Sequence, residues 1–366
     1  MTSLPHFLSD GSALQVDPDP LLSAVPGLLG FRPERSLVLL AFADSRTLMV
    51  TLRLDLELLP DGKPAPVLRD SIANLGTIVA GYGAVGVVAV VVDARADDYP
   101  AVFRAVERSF TAVGGLSAGF VIGEMATGAR WFTSWEPRCR PGRSRPPAPF
   151  AGEVAPHGRL SDPLMSPVAL QRAVFGGRRI LERRDDLAAV LEPRAHCDST
   201  TCRPVLPMVA PAPPGAADAA GARLVLRQVR RGADGDLSCA EVNALAEALC
   251  SVHTRDVLLA LSLTDLRDRA EQLWMRLARS LIGRPGAAAA TLLGHLYYMS
   301  GEGAFASVAV ERALDLDPEY HLAQLVHTAL LHGMRPTGLG EVLEYSFSLG
   351  EDLGVGLPPQ TRTPAG

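Results

Sequence analysis

Lysine is nearly missing from this chain of 366 residues: Lys63 is the only one, and arginine carries the remaining positive charge. Lys63 sits in DGKPAP rather than behind a glycine-rich loop, which removes classical P-loop phosphate chemistry. Cysteine is scarce as well. The five present are unevenly spaced and odd in number, unlike the paired framework of a small secreted protein. Positive charge is not in surplus, because the formal net charge is −5, so nucleic acid and acidic membrane surfaces are not expected partners. No H-E-x-x-H zinc motif occurs. The opening MTSLPHFLSDGSAL has neither the basic start nor the apolar run of a signal peptide, which points to a cytoplasmic protein.

Long apolar runs are also lacking, with one exception to weigh. Ser71 to Val92 is uncharged and long enough to cross a bilayer. It contains Asn74, Tyr82 and four glycines, and it ends in the short β-branched run VGVVAVVV. A helix, a glycine turn and a buried strand account for it better than a membrane span.

With 48% apolar and 20% charged residues, the chain has material for two or three globular cores. Residues 36–43 and 47–56 are β-rich runs split by Asp44-Ser45-Arg46, the pattern of a hairpin. A helix is expected over 65–81, a buried strand over 85–92, a helix over 99–113 and extended runs over 118–125 and 130–134. Strands alternating with helices predict an α/β N-terminal domain, a mixed sheet with flanking helices, over residues 1–136. Residues 137–167 read as a Pro/Arg-rich linker, whose arginines 138, 140, 143 and 145 are either solvated or anion-binding. A helical segment over 168–202, a second linker over 203–220 and an all-α region over 221–350 follow. Ser238 with Glu241 is a capping box. Residues 351–366 are expected to be a disordered tail.

Three motifs resemble chemistry that their context denies. Gly81-Tyr82-Gly83-Ala84-Val85-Gly86 fits the dinucleotide fingerprint, and Gly115-Leu116-Ser117-Ala118-Gly119 fits the nucleophile elbow. Both chemistries need a strand running into a helix, so that amides or the serine oxygen stand at the helix N-terminus. Here the expected order is helix, then strand. In HCDSTTC, His196, Cys197 and Cys202 fall one short of the four ligands of a structural zinc site, and Cys139 or Cys239 would have to complete it. No metal, cofactor or catalytic residue is therefore assigned. Trp131 and Trp135 read as packing residues rather than a ligand platform. Polar residues at strand ends remain: Arg53 and Asp55, two apart on one strand face, and Asp93 at the carboxyl end of the most apolar strand. They are either structural pairs and caps or a site where arginine binds an anionic substrate and a carboxylate handles a proton.

The most complete pattern lies further on. Residues 287–318 follow the template of one tetratricopeptide-type helical hairpin through Leu293, Gly294, Tyr297, Gly301, Ala306, Ala313 and Pro318, with Ala290 and Val310 replacing the usual Trp and Phe. The first helix of such a hairpin faces a groove, which makes Thr291, His295, Tyr298 and Met299 candidate contacts for a protein partner. A single repeat has an alternative, to pack on its own chain, since about three are needed for an independent stack. A protein-interaction module or homo-oligomer is thus the favoured reading and a ligand site at the sheet edge the alternative.

Several stretches also resemble a known family. LLSAVPGLLGFRPERSLVLLAF, through Pro26, Leu29, Gly30, Phe31, Pro33, Ser36, Leu37 and Val38, is similar to the opening signature of the actinobacterial proteins grouped as domain of unknown function 4192. LRLDL with Arg53 and Asp55, SPVALQRAVFGGRRILERRDDLAAVLEP, LWMRLAR with Trp274, and LDPEYHLAQL resemble its later motifs. WFTSWEPRCRP departs from it, keeping the tryptophans and only Cys139 of a cysteine- and proline-rich stretch. The resemblance implies a recurring architecture and no activity.

Overall fold

The computed structural model describes residues 2–3, 15–44, 46–135, 153–176, 178–197, 213–232 and 236–365. They divide into two compact units, Met1–Asp186 and Leu187–Gly366.

The first unit is built on β3 (Ser36–Phe42), β5 (Gly86–Val92) and β6 (Leu116–Ile122), each seven residues long and buried throughout. Runs such as GVVAVVV have no polar face to offer water, so they occupy the centre of a sheet covered on both sides. The seven-stranded order is β1 (Thr2–Ser3), β4 (Thr47–Asp55), β3, β5, β6, β7 (Arg130–Trp135) and β9 (His157–Arg159). β5 and β6 are parallel and the other neighbours antiparallel, which makes the sheet mixed as expected. The hairpin between β3 and β4 closes where the Asp44 carboxylate accepts the backbone N–H groups of Arg46 and Thr47, both at 2.7 Å. A separate pair joins β2 (Gln15–Val16) to β8 (Glu153–Val154). Helix α1 (Asp19–Leu29) precedes the sheet, and α4 (Pro167–Gly176) follows it.

One sheet face carries α2 (Pro66–Gly81) and α3 (Pro100–Ser109). Leu37, Leu39, Val87, Ala89 and Val91 meet Ile72, Val79, Val102, Phe103 and Val106 there. The two helices touch at Gly76, where an added Cβ would lie 2.2 Å from the Ser109 carbonyl oxygen. Both glycine stretches run from helix to strand. α2 ends at Gly81 before β5, and α3 leads through a short 3-10 turn at Thr111–Val113 into β6. Ser117, the would-be nucleophile, is buried inside β6.

The expected linker is not all loop. His157–Arg159 joins the sheet edge because Gly158 leaves room for the Trp131 indole, whose Cζ2 would be 2.3 Å from an added Cβ. Trp131 itself is buried against Phe120, an edge-on ring contact, so it is a packing residue. The arginines of residues 138–145 lie outside the described residues.

Helix α5 (Asp185–Val190) spans the division between the units. The second unit holds α6 (Ala216–Arg231), α7 (Cys239–Cys250), α8 (Val252–Leu259), α9 (Arg267–Ser280), α10 (Gly283–Met299), α11 (Gly303–Leu316), α12 (His321–Leu331) and α13 (Gly340–Asp352). The Ser238–Glu241 capping box forms: the Ser238 hydroxyl accepts the Glu241 N–H, and the Glu241 carboxylate accepts the Ser238 N–H at 2.7 Å. The C-terminal tail differs from expectation. Thr361 and Arg362 N–H groups both donate to the Leu263 carbonyl, the Ala365 N–H donates to the Met299 carbonyl, and Val355 is buried. Backbone pairing of this kind orders a segment whose composition alone gives no helix or strand pattern. Among the described residues no helix is long and apolar enough to cross a membrane.

Gly76→Ala separates local propensity from packing. Alanine is the better helix former by about 1 kcal/mol, yet at this position its methyl group meets backbone. Overpacking by about 1–3 kcal/mol should prevail. Urea unfolding should show net destabilisation, and a gain in stability would disprove the close α2–α3 contact.

Candidate functional site

Three strands end side by side in the first unit. Ser36, the first residue of β3, pairs with Asp55 at the end of β4 and with Val92 at the end of β5, and the Asp93 N–H donates to the Ile122 carbonyl of β6. The sequence candidates Arg53, Asp55 and Asp93 therefore share one end of the sheet. They do not share one face. Leu52, Leu54 and Val91 pack into the core beneath α2 and α3, so alternation turns Arg53 and Asp55 away from that core and Asp93 towards it.

On its side, the mostly buried Arg53 guanidinium contacts the Asp55 carboxylate at 2.6 Å and donates through Nε to the Ser36 hydroxyl at 2.9 Å. Ser36 in turn donates to the Glu34 carbonyl. Burial draws the Arg53 pKa down, while neighbouring Asp55 opposes the shift. On the other side, Asp93 is 4% exposed and accepts hydrogen bonds from the Tyr99 hydroxyl and from Arg95 Nε at 3.2 Å. Burial first, and then the bond to Asp93, push the Tyr99 pKa up, so this hydroxyl holds its proton and acts as a donor. Among the described residues, no ion pair or hydrogen bond links Arg53 or Asp55 to Asp93.

The backbone at this sheet end is unusual. Arg35, Ala96 and Tyr99 are the non-glycine residues with positive φ among the described residues, at 40°, 49° and 48°. Arg35 leads into β3, and the other two lie in the loop from β5 to α3. Such conformations cost about 1–3 kcal/mol each and persist only where their surroundings enforce them. Arg95 and Tyr99 were missed by sequence reasoning. The available signals were the D-x-R spacing after a buried strand and a tyrosine placed just before Pro100.

The second candidate is the hairpin α10–α11. Helix α10 is GRPGAAAATLLGHLYYM, and every residue from Pro285 to Met299 is buried. Its alanines and glycines allow close approach all round. At Gly294, for example, an added Cβ would lie 2.7 Å from Val310 of α11. The helix packs against α7, α8, α9, α11 and α12 at once. Arg267 of α9 fastens the turn into α11, donating to Ser300 Oγ at 3.0 Å and to Glu271 at 3.1 Å, with Glu302 3.7 Å away.

This packing decides where the groove residues point. Thr291, His295 and Tyr298 are 0%, 2% and 4% exposed. Thr291 donates to the Ala287 carbonyl at 2.7 Å, and Tyr298 donates to the Met334 carbonyl at 2.6 Å. Met299 is buried too. These side chains are buried where five helices, α7, α8, α9, α11 and α12, close around α10. His295 Nε2 has no hydrogen-bond partner among the described residues, and burial draws its pKa down to about 4. A shallow depression beside the hairpin is lined by Leu187, Val190, Leu191, Tyr297, Phe305 and Val308. Its lining is apolar and aromatic, and its volume of about 10 Å³ is far below the roughly 300–1,000 Å³ of ligand pockets. No cluster of three or more His, Cys, Asp or Glu suited to a metal occurs among the described residues, and Cys139 and Cys202 lie outside them.

His295 yields a pH prediction. Its native pKa lies below the ordinary 6.5, so the unfolded chain binds the extra proton between about pH 6.5 and pH 4. Stability from keeping it neutral is intact above pH 6.5 and declines as pH falls through that window. Between pH 7 and pH 5 the wild type should lose about 2 kcal/mol more than His295→Leu in urea unfolding. Parallel pH profiles for the two proteins would contradict the burial of an unpaired imidazole.

A family model described as Domain of unknown function (DUF4192) matches residues 18–337, while no curated protein and no solved structure is significantly similar. That span holds the sheet end, the capping box and the α10–α11 hairpin alike. The chain belongs to the family built on domain of unknown function 4192.

Proposed function

We propose that this chain is a non-catalytic, cytoplasmic protein-interaction module whose helical unit carries the contact surface. The observation behind this reading is the placement of apolar side chains on the last two helices and the turn between them. Leu325 and Leu331 of α12, Met334, and Val342 and Tyr345 of α13 are all exposed, with Leu331 at 59% and Tyr345 at 52%. Val342 and Tyr345 stand three residues apart on α13 and so share one helix face. Exposed aliphatic and aromatic groups of this kind suit a protein partner that presents an amphipathic helix. The likeness of the α10–α11 sequence to a tetratricopeptide hairpin supports the same reading, with the contact on the outer helices rather than on α10.

The test is co-purification of the full chain with its partner from its native host, comparing wild type with Val342→Glu/Tyr345→Glu. The double variant should retain its thermal midpoint and lose the partner by at least tenfold. An unchanged partner set would reject this surface. Self-association of the wild type, seen by light scattering and lost in the variant, would assign the face to a second copy of the chain. Replacing His295 and Tyr298 instead would test folding, because both are core residues.

A second reading rests on the sheet end of the first unit. Left-handed Ala96 and Tyr99 both bond to Asp93, which is buried, a third such residue, Arg35, leads into β3, and Arg53 lies on the opposite face of the same end. In that reading an anionic ligand competes with Asp55 for the Arg53 guanidinium. A thermal-shift series with phosphate and small carboxylates should then raise the midpoint of the wild type and not of Arg53→Gln. Equal responses of the two proteins would remove this alternative.

A further inference from the structure

Two thiols from distant parts of the sequence meet in the helical unit. Cys197 Sγ lies 3.5 Å from Cys239 Sγ, 42 residues along the chain, and neither is in a disulfide. Both are half-buried, close enough to the surface for a small reagent to reach. The segment leading to Cys197 is held in place: the Arg194 N–H donates to the Arg279 carbonyl at 2.9 Å, and Arg279 Nε donates to the Glu192 carbonyl at 3.3 Å. Cys239 is the first residue of α7, fixed by the Ser238–Glu241 capping box. The approach of the two sulfurs is therefore anchored on both sides by hydrogen bonds that do not involve them. Cys250, by contrast, is buried, and burial pushes its thiol pKa up, which disfavours the reactive thiolate.

We propose that Cys197 and Cys239 form a reversible dithiol–disulfide pair, a redox clasp joining the segment after α5 to the start of α7. Its oxidant is a low-molecular-weight disulfide. The Cys197 or Cys239 thiolate attacks one sulfur of that disulfide and expels one small thiolate, leaving a mixed disulfide. The second protein thiolate attacks the protein sulfur of the mixed disulfide and expels the other small thiolate. Two protein thiols and one small disulfide thus become one protein disulfide and two small thiols, with the protons passing to the departing thiolates. The sulfurs must close from 3.5 Å to the bond length of about 2.05 Å.

The experiment uses the full chain, incubated with oxidised glutathione across a range of thiol–disulfide ratios and then digested under non-reducing conditions for mass spectrometry. The expected product is a Cys197–Cys239 cross-linked peptide, two hydrogens lighter than the separate peptides and lost on addition of dithiothreitol. The oxidised protein should melt several degrees higher than the reduced one, since the bridge closes a long loop. Cys197→Ala and Cys239→Ala should each abolish the cross-link and the shift, whereas Cys250→Ala should preserve both. The wild-type cross-link is read directly, so a variant that fails to fold does not blunt the test. A bridge to Cys139, Cys202 or Cys250, a glutathione adduct with no internal bridge, or thiols protected by an equimolar bound metal would each overturn the proposal.

Discussion

An element enclosed on every side fixes everything laid against it. In the first unit this is β5, whose GVVAVVV sequence leaves no polar edge in seven residues, flanked by the equally buried β3 and β6. In the second it is α10, apolar or small at nearly every position and packed against α7, α8, α9, α11 and α12. Neither segment is stable alone in water, since each gains by burial only when its neighbours are present. The polar features of the two units are arranged around that requirement. Asp93 and Tyr99 cap the end of β5, and Arg267 ties the turn that follows α10.

Much of the fold was legible because it follows from chain direction and periodicity. The glycine stretch at residues 81–86 lies between an amphipathic run and a β-branched run, which places it after a helix and before a strand. The structure has it there, and the same is true of residues 115–119 ahead of β6. Capping by Ser238 and Glu241 was equally readable, because it is a local contact between residues three apart. Non-local features were not readable. His157–Arg159 is too short to display a strand period, and only its contact with Trp131 explains its place in the sheet. The ordered tail likewise depends on carbonyls at Leu263 and Met299, far back in the sequence.

The candidate sites show the same division. Strand alternation put Arg53 and Asp55 on one face, and they do pair. Alternation carried through the pairing of β3, β4 and β5 also sets Asp93 on the opposite face, which requires the register and not the sequence alone. For residues 287–318 the helical hairpin was readable, but its surroundings were not. A helix in an open array and one in the middle of a bundle can share the same signature residues. The difference here is the richness in alanine, from Ala287 to Ala290, which permits neighbours to close in on all sides.

The last residues of the chain have a bearing on how the helical unit is made in the cell. Thr361, Arg362 and Ala365 pair with carbonyls roughly sixty to a hundred positions earlier, and Arg223 donates to the Leu353 and Gly354 carbonyls. These partners emerge from the ribosome long before the tail does. The first unit has all its parts early, whereas the second stays incomplete until residues 353–365 have been made.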